Sequence, residues 1–399
     1  MSDTTEKKPA PPRRRSRIFV LAIVVTVAVQ TPLVAGLAHL GGHLLPVLAL
    51  AAALTGGFMA TVLGPRGIWG APSRVRLYLV LWPFFVWWTL GLLFAALAPI
   101  VLAVRAVLSP LHTPPAAPLS TDAALGYALV AALAGTVLAL RNTPRVRRHE
   151  IAIPGLPTAF DGFRVAQISD LHCGPFASGA RVDRWVAAVN RLGADLVAVT
   201  GDLIASGPAF VPVVAASLGK LRARDGVFAS MGNHDYFTDG EEMVGALEGA
   251  GLTLLRNRGV EVRREGAAIY VAGVDDTWTR RHDLDKALAG RPAEMPVVLL
   301  AHDPVLFPDA ASRGVDLTLS GHTHGGQIGV PFLAKRFNLA RVMTRFTTGL
   351  YRSGPSTLYV NRGLGSTGLP VRIFVPAEIA VLTLRRAEQP TAAAARSAA

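Results

Sequence analysis

The sequence predicts a protein of two parts, in which four transmembrane helices precede an α/β domain. Its 399 residues are 51% hydrophobic and only 17% charged, a balance that is too apolar for a wholly soluble chain of this length. Four stretches in the first 140 residues contain no charged residue and are long enough to cross a bilayer. Beyond residue 150, short apolar runs alternate with segments of helical spacing, which is typical of an α/β domain.

The four charge-free stretches are residues 18–38, 44–63, 77–104 and 123–140. Each is expected to form a helix, because a bilayer offers no hydrogen-bond partners to an exposed backbone. Arginines precede the first stretch as they do in a secretory signal peptide, so a cleavable leader is the alternative there. The three later spans and the lack of a small-residue cleavage site favour a membrane anchor.

The Lys and Arg residues of the short connections predict the orientation of these helices. The N-terminal segment, the second connection and the segment after the fourth span are rich in them, whereas the first connection has none and the third has only Arg105. Both termini and everything after residue 141 are therefore expected on the cytoplasmic side of the inner membrane. An exported domain is the alternative, and it would meet envelope polymers instead of cytoplasmic nucleotides.

The charge distribution argues against a nucleic-acid polymer as a partner. The net charge is +13, but residues 1–150 carry 14 Lys/Arg against 4 Asp/Glu, while residues 151–399 carry 26 against 23. The excess therefore flanks the membrane spans, and no basic stripe interleaved with aromatic residues follows it.

The single cysteine, Cys173, excludes a disulfide framework and a cysteine-rich zinc site. The sequence identifies no protein partner.

The predicted organisation has five parts. They are a disordered basic N-terminus over residues 1–17, the transmembrane helices over 18–140, a linker over 141–150, the α/β domain over 151–386 and a disordered tail over 387–399. In the domain, strands are predicted at 163–169, 196–200, 226–231, 268–273, 296–301, 317–320 and 357–361. Helices are predicted between the earlier strands at 181–192, 211–221, 241–250 and 284–289.

Five of the predicted strands run directly into loops that carry His, Asp or Asn. In chain order these loops hold Asp170 and His172, then Asp202, then Asn233 with His234 and Asp235, then His302 with Asp303, then His322 and His324. Ligands bind at the carboxyl ends of strands in α/β sheets, so these side chains are expected to converge. One His after a strand is more often a hydrogen-bonded loop residue, but that does not explain an ordered set of five. Oxygen and nitrogen donors without thiolate suit Mn, Fe or Zn, and so many of them suit two ions that share a carboxylate.

The order of these motifs resembles that of the calcineurin-like metallophosphoesterase superfamily. The strings ISDLH, TGDL, GNHDY and SGHTHGGQ, with NRGLG and PVR near the end, are most similar to its bacterial membrane-associated branch. That branch includes phosphodiesterases and UDP-2,3-diacylglucosamine pyrophosphatases, and the likeness covers residues 151–384. The resemblance implies a sandwich of two central β-sheets flanked by helices, and a metal-dependent hydrolase that cleaves a phosphodiester or pyrophosphate bond.

The resemblance also implies roles for single residues. One divalent cation would be held by Asp170, His172 and His324, a second by Asn233, His302 and His322, and Asp202 would bridge both. Manganese is the expected metal, with iron or zinc as alternatives. His234 would stabilise the transition state or protonate the leaving oxygen, and Asp235 would fix the tautomer of its ring. Relatives often carry an acid where this chain has Ala205, so contacts near the bridging carboxylate are expected to differ here.

Further residues are weaker candidates. Arg362 and Arg372 could each contact a substrate phosphate with two hydrogen bonds, or form surface ion pairs. Cys173 is expected to pack, and His282 to be a solvated loop residue. Residues 331–351, rich in Phe, Leu and Arg, could cover the site or enter the membrane surface.

The favoured functional hypothesis is an enzyme that acts on a phosphorylated lipid or another amphiphile, because a membrane tether concentrates enzyme and substrate in the same layer. UDP-diacylglucosamine is nominated by the resemblance alone. A soluble nucleotide is the alternative substrate. A membrane sensor that binds a ligand without turnover is the alternative class, and the complete set of candidate ligands argues against it.

Overall fold

Four long helices and two six-stranded sheets make up this computed structural model, which describes residues 14–64, 73–108, 120–205, 207–236, 240–330 and 332–387. The predicted disordered tails lie outside these residues, apart from residues 14–17 and Ala387. Residues 14–17 begin a helix, in keeping with the high helix propensity of arginine. Ala387 ends a strand.

The first four helices are the predicted membrane spans. They are α1 (Arg14–Gly41), α2 (Leu44–Leu63), α3 (Arg74–Leu108) and α4 (Thr121–Arg141). Each is long and apolar enough to cross a membrane. Helix α3 includes a π-helical turn at Leu77–Leu81, near its N-terminal end.

Close contacts hold these helices together as one unit. A Cβ atom on Gly91 of α3 would lie 3.0 Å from the carbonyl oxygen of Val29 in α1, so glycine permits the two backbones to approach. The rings of Phe58 in α2 and Phe84 in α3 stack with their centroids 3.9 Å apart. Small residues and stacked rings thus supply the packing that the hydrophobic effect does not supply inside lipid.

A second compact unit begins at Ala139 and contains both sheets. The strands of the first sheet, in spatial order, are β1 (Arg145–Pro154), β12 (Glu378–Ala387), β2 (Arg164–Ile168), β3 (Leu196–Thr200), β4 (Val227–Ser230) and β5 (Thr253–Leu254). Those of the second sheet are β10 (Gly349–Ser353), β11 (Ser356–Val360), β9 (Leu317–Ser320), β8 (Val297–Leu300), β7 (Ala267–Gly273) and β6 (Arg258–Arg264).

Strands β2 to β5 are parallel to one another, as are β7, β8, β9 and β11, while β12, β10 and β6 run antiparallel to β2, β11 and β7. The carboxyl ends of the parallel strands therefore lie at the same end of each sheet. Gln167 in β2 joins the sheets at this end, because its amide donates to Thr200 Oγ1 in β3 at 2.9 Å and to Ser320 O in β9 at 3.0 Å.

The two sheets pack face to face over a core to which both contribute, with Val165 and Leu196 on one side and Val298 and Leu319 on the other. Helices α5 (Gly179–Asn190), α6 (Val211–Leu218) and α7 (Glu241–Gly249) pack on the outer face of the first sheet. Helices α8 (Leu284–Leu288) and α9 (Phe307–Ser312) accompany the second sheet. The predicted fold class, a four-helix transmembrane unit followed by a helix-flanked β-sandwich, is confirmed.

The segment predicted as a linker differs from the prediction. Residues 145–150 form the first part of β1, which pairs in parallel with β12 from Arg145 opposite Glu378 to Pro154 opposite Ala387. The charged side chains of Arg145–Glu150 lie at a sheet edge, where they reach solvent. Because neither face of this part is buried, it lacks the alternating apolar pattern by which a strand is predicted.

Candidate metal centre

The five predicted loops meet at the end of the two sheets where the carboxyl ends of the parallel strands lie. Asp170 follows β2, Asp202 follows β3, Asn233 follows β4, His302 follows β8 and His322 follows β9. All five strands are parallel members of their sheets. Their carboxyl ends therefore bring residues that are up to 152 positions apart into hydrogen-bond distance, as between His322 N and Asp170 Oδ1 at 3.0 Å.

The backbone at these strand ends is left-handed at several of the predicted ligands. The residues with positive φ are Asp170 (51°), His172 (45°), Asp202 (56°), His322 (69°) and His324 (52°). Asp and His tolerate this conformation better than bulky or β-branched residues do. It turns successive side chains away from the strand direction, and such concentrated backbone strain is typical of functional sites.

One group of donor atoms surrounds the buried side chain of His172. Its Nε2 atom lies 2.9 Å from Nε2 of His324 and 3.5 Å from Oδ2 of Asp202. His324 Nε2 in turn lies 3.3 Å from Oδ1 of Asp170. One donor atom from each of these four residues lies within 4.8 Å of the others, which is close enough for all four to hold one metal ion.

A second group of donor atoms shares Asp202 with the first. Asp202, His302 and His322 also bring ligand atoms within 4.8 Å of one another, and His302 Nε2 lies 3.3 Å from Asp202 Oδ2. The rings of His302 and His322 are 5.1 Å apart between centroids. Asp202 is therefore positioned to contact two cations at once.

Buried polar atoms without partners agree with this arrangement. Oδ1 of Asn233 and Nδ1 of His322 are buried and make no hydrogen bond within the described residues. Buried polar atoms normally have a partner, and a bound ion is one of the few explanations when they do not. These donors fit a divalent cation, because both atoms carry lone pairs and neither residue supplies a thiolate.

The charges of the site favour positive charge at its centre. Burial lowers the pKa of His172 to about 3, which favours the neutral imidazole that binds metals. Burial alone would raise the pKa of Asp202, but His302 and His172 hold it well below its usual range. Burial also opposes the charged form of His302, yet the Asp202 carboxylate raises its pKa well above the ordinary value. Asp202 thus remains ionised and attracts a cation.

Asp235 has a different role from the predicted one. Its carboxylate accepts backbone hydrogen bonds from Asp202 N at 2.9 Å, Gly232 N at 2.9 Å, Leu203 N at 2.8 Å and Ile204 N at 3.3 Å. The prediction that Asp235 fixes the tautomer of its neighbour in sequence is therefore corrected. Both carboxylate oxygens serve the loop backbones, because the short helical turn at Asn233–Tyr236 directs this side chain inward.

His234 is oriented by Ala205. Its Nδ1 atom lies 2.9 Å from the Ala205 carbonyl oxygen, which can only accept, so Nδ1 carries the proton. Its backbone N–H donates to Oδ1 of Asp202 at 2.9 Å. The lack of an acid at position 205 does not affect the contact of Nδ1, because the backbone carbonyl of Ala205 makes it. His234 also lines the cavity described below.

Neither predicted substrate-binding arginine lines that cavity. Arg372 is only 4% exposed, and its guanidinium donates to Gly365 O at 2.9 Å and Arg362 O at 2.8 Å and contacts His324 Nδ1 at 3.1 Å. Arg362 donates from Nε to Thr348 Oγ1 at 2.9 Å. The two guanidinium groups contact the loops behind the site, and Arg362 also lies 3.5 Å from Glu378 Oε2, which agrees with the ion-pair alternative; contact of either arginine with a substrate phosphate stays a prediction.

Two weaker candidates lie apart from the ligand groups. Cys173 is buried in the core beneath α5, where burial raises the pKa of its thiol to about 12 and disfavours the thiolate that a metal requires. His282 is exposed in the loop before α8. Both observations agree with the expected packing and solvated roles.

A cavity of about 490 Å³ opens over the donor atoms. Its floor includes Asp202, Asn233, His234, His322 and His324. Its walls include Trp278 and Val305, which the sequence analysis did not single out, and Leu339, Met343 and Thr344 of the segment 331–351 that was named as a possible cover. Trp278 could have been found, because it follows the carboxyl end of β7 as the ligands follow their strands. Its ring centroid lies 5.3 Å from that of His322.

Comparisons with known proteins identify the family of the chain. The family model described as calcineurin-like phosphoesterase matches residues 163–326. This range includes every predicted metal ligand, from Asp170 to His324. A Danio rerio protein named "Transmembrane protein with metallophosphoesterase domain" is 36% identical over 281 residues, 67% of this chain and 63% of that protein. A Bos taurus protein of the same name is 34% identical over 261 residues, covering 61% and 58%.

A bacterial relative is covered more fully. The "Uncharacterized metallophosphoesterase YkuE" of Bacillus subtilis (strain 168) is 34% identical over 242 residues, 59% of this chain and 84% of that protein. The chain thus spans about six tenths of the vertebrate relatives and most of the bacterial one. The predicted resemblance is confirmed, and the chain belongs to the calcineurin-like phosphoesterase family.

Proposed function

We propose that this protein is a membrane-tethered phosphoesterase that uses two divalent cations to hydrolyse a phosphodiester or pyrophosphate bond. The observation that carries the proposal is that two groups of possible ligand atoms share one carboxylate, that of Asp202. A shared carboxylate is the arrangement expected when two cations act on one phosphoryl group. A structural site for a single ion would need only about four donors.

Seven residues would hold the cations. Asp170, His172 and His324 would hold the first, Asn233, His302 and His322 the second, and Asp202 both. Such a pair supplies an activated water and offsets the charge of the phosphoryl oxygens. The mixture of carboxylate, imidazole and amide donors suits manganese best, with iron or zinc as alternatives.

His234 would handle the proton of the leaving oxygen. Its Nδ1 proton is donated to the Ala205 carbonyl, so a proton given to the leaving oxygen would come from Nε2 of the doubly protonated ring, which becomes neutral. Its backbone N–H donates to Asp202 Oδ1 and holds residue 234 next to Asp202 at the floor of the cavity. Asp235 would act indirectly, by holding the loops that carry Asp202 and Asn233.

The walls of the cavity support an amphiphilic substrate. A volume of about 490 Å³ accommodates a phosphoryl group and its immediate neighbours, but it is too small for a lipid with several acyl chains. Apolar walls at Val305, Leu339 and Met343 continue upward from the polar floor. A lipid-linked phosphate, of which UDP-diacylglucosamine is one example, would place its phosphate on the floor and its chains beyond the walls.

We further propose that the phosphoesterase domain faces the cytoplasm from a bacterial inner membrane. The support is the excess of Lys and Arg in the N-terminal segment, the second connection and the segment after α4. Reporter fusions after Arg141, where α4 ends, test this orientation. Activity of a periplasmic reporter at that position would overturn it and would favour an envelope polymer as substrate.

The activity is best tested with the full chain in nanodiscs, because a fragment that begins inside β1 would lose part of an edge strand. Hydrolysis of bis-p-nitrophenyl phosphate, soluble nucleotides and UDP-acylglucosamines is measured with added Mn²⁺. Wild type is compared with Asn233→Ala, His234→Ala and the control His282→Ala, which changes an exposed histidine outside the cavity.

We expect turnover by wild type and His282→Ala, and a loss of about 100-fold or more in the two site variants. Cleavage of nucleotides in preference to UDP-acylglucosamines would support the proposed enzymatic activity but would show that the substrate is a soluble nucleotide and not a lipid-linked phosphate. Metal binding by wild type without turnover of any compound would contradict the proposed enzymatic activity and would favour a membrane sensor.

A further inference from the structure

Beside the cavity, one surface segment exposes an unusual number of large apolar side chains. We call residues 328–330 and 332–346 the rim segment. Its exposed apolar side chains are Val330, Phe332, Leu333, Phe337, Leu339, Val342 and Met343. Phe332 is fully exposed and Val342 is 89% exposed. Soluble surfaces rarely gather so many apolar groups unless they meet a partner or a membrane.

The charge of the rim segment points to the nature of that partner. Its four exposed charged residues are Lys335, Arg336, Arg341 and Arg345, and residues 328–346 include no Asp or Glu. None of the four forms a salt bridge with another described residue. Apolar side chains flanked by unopposed cations are the pattern of a surface that binds anionic lipid headgroups and inserts between them.

The rim segment is anchored at its base and exposed at its tips. The Phe346 ring is buried against the rings of Phe307 and Tyr351, at 5.8 and 5.1 Å between centroids. Asn338 Nδ2 donates to Ala334 O at 2.7 Å and closes the turn. At the tip, Phe332 has a φ of +60°, a strained conformation for this residue that gains no packing within the chain.

We propose that the rim segment inserts its apolar side chains into the surface of an anionic lipid bilayer. Leu339 and Met343 belong both to the rim segment and to the wall of the cavity. A bilayer bound there would therefore be continuous with the apolar wall above the candidate metal ligands. This goes beyond the proposed hydrolysis, because insertion requires no turnover and is tested without it.

Site-specific fluorescence in nanodiscs tests the proposal on the full chain. The cysteines introduced by Phe332→Cys and Val342→Cys are labelled with an environment-sensitive dye. Quenching of the dye's fluorescence by lipids with nitroxide-labelled acyl chains is then measured. The matched control is Val213→Cys, at a 40% exposed valine of α6. Wild type serves as the labelling blank, because its one cysteine, Cys173, is fully buried.

We expect several-fold stronger quenching at positions 332 and 342 than at 213 in nanodiscs that contain anionic lipid. Replacing Lys335, Arg336, Arg341 and Arg345 together by Gln should reduce this quenching in anionic nanodiscs more than in zwitterionic ones. Quenching at 332 and 342 no stronger than at 213 would overturn the proposal. So would a blue shift of the dye that depends on protein concentration without nitroxide quenching, because a second copy would then cover the segment.

A failure of hydrolysis would leave these readouts unchanged, so the proposed activity and the proposed membrane contact can fail separately. The quadruple Gln variant is first checked for an unchanged melting temperature, since all four side chains are exposed. Substitutions of exposed surface residues usually alter stability little.

Discussion

The backbone N–H of Asp202 donates a hydrogen bond of 2.9 Å to Oδ2 of Asp235. The same carboxylate accepts from Gly232 N at 2.9 Å and from Leu203 N at 2.8 Å. One buried side chain thereby joins the loops that follow β3 and β4, and hydrogen bonds to a carboxylate are stronger than those between neutral groups. The separation between Asp202 and Asn233 therefore depends on Asp235, although Asp235 belongs to neither group of candidate ligands.

Replacing Asp235 by Asn should lower the stability of the domain by about 1–3 kcal/mol. The amide offers one acceptor oxygen and turns an NH₂ group toward buried N–H donors, which leaves part of the loop backbone unsatisfied. Thermal unfolding of the full chain in detergent measures the change. Asp161→Asn is the control, because that exposed carboxylate accepts from one backbone N–H, that of Arg386. Equal melting temperatures for the two variants would contradict the joining role of Asp235.

Gly232→Ala should abolish most metal binding and reduce activity about 100-fold, the effect expected when reacting groups move by about 1 Å. A Cβ atom there would lie 2.6 Å from Asp202 N and 2.8 Å from His302 Cδ2, so the backbone of a candidate ligand would have to shift. Gly245→Ala is the control, because nothing lies within 4 Å of its Cβ position in α7. That variant should gain about 0.5–1 kcal/mol of stability. Normal Mn²⁺ affinity in Gly232→Ala would show that the close approach is not required.

Arg372→Lys should lower stability by about 1–3 kcal/mol and reduce kcat while KM stays nearly constant. A lysine cannot reproduce the planar set of hydrogen bonds to Gly365 O and Arg362 O beside the His324 ring. Arg313→Lys is the control, because this arginine forms surface ion pairs, which contribute little. A rise in KM at constant kcat and melting temperature would instead indicate that Arg372 binds the substrate phosphate.

Manganese affinity should fall as the pH drops below about 6. Burial raises the pKa of Asp170 to about 6, and a proton on this carboxyl competes with the metal. Below that pKa, each pH unit should weaken binding about tenfold through the Asp170 proton, and His302, whose pKa is raised, must also lose a proton to bind the metal. Isothermal titration calorimetry in two buffers of different ionisation enthalpy counts the protons released. Asp170→Asn should release fewer protons, and equal affinity at about pH 5 and pH 7 would contradict the competition.

The predicted strands agree with the structure where a local pattern indicates burial. Strand β3 was predicted to the residue, because Leu196–Thr200 is buried on both faces and ends in a Gly-Asp turn. Strand β1 was not predicted, because its charged first part lies at a sheet edge and is stabilised by pairing with β12, more than 200 residues later. Such a pairing leaves no periodic pattern in the sequence.

The side-chain contacts around the site were less predictable. The family resemblance implied that Asp235 would orient His234, but the chain reverses there and Ala205 supplies the contact through its carbonyl oxygen. A backbone acceptor is the same for every residue type, so no sequence pattern indicates it. Arg372 was a candidate for either a phosphate contact or a surface ion pair, yet tertiary packing buries it behind His324.

The sequence by itself determined the two-part organisation, the family and the residues that could bind metal, because each depends on residue type and spacing along the chain. Only the tertiary structure decided that Asp235 joins two loops, and that Leu339 and Met343 form a cavity wall next to an exposed apolar rim. These relationships depend on distances between residues remote in sequence, and such distances are fixed only when the two sheets pack against each other.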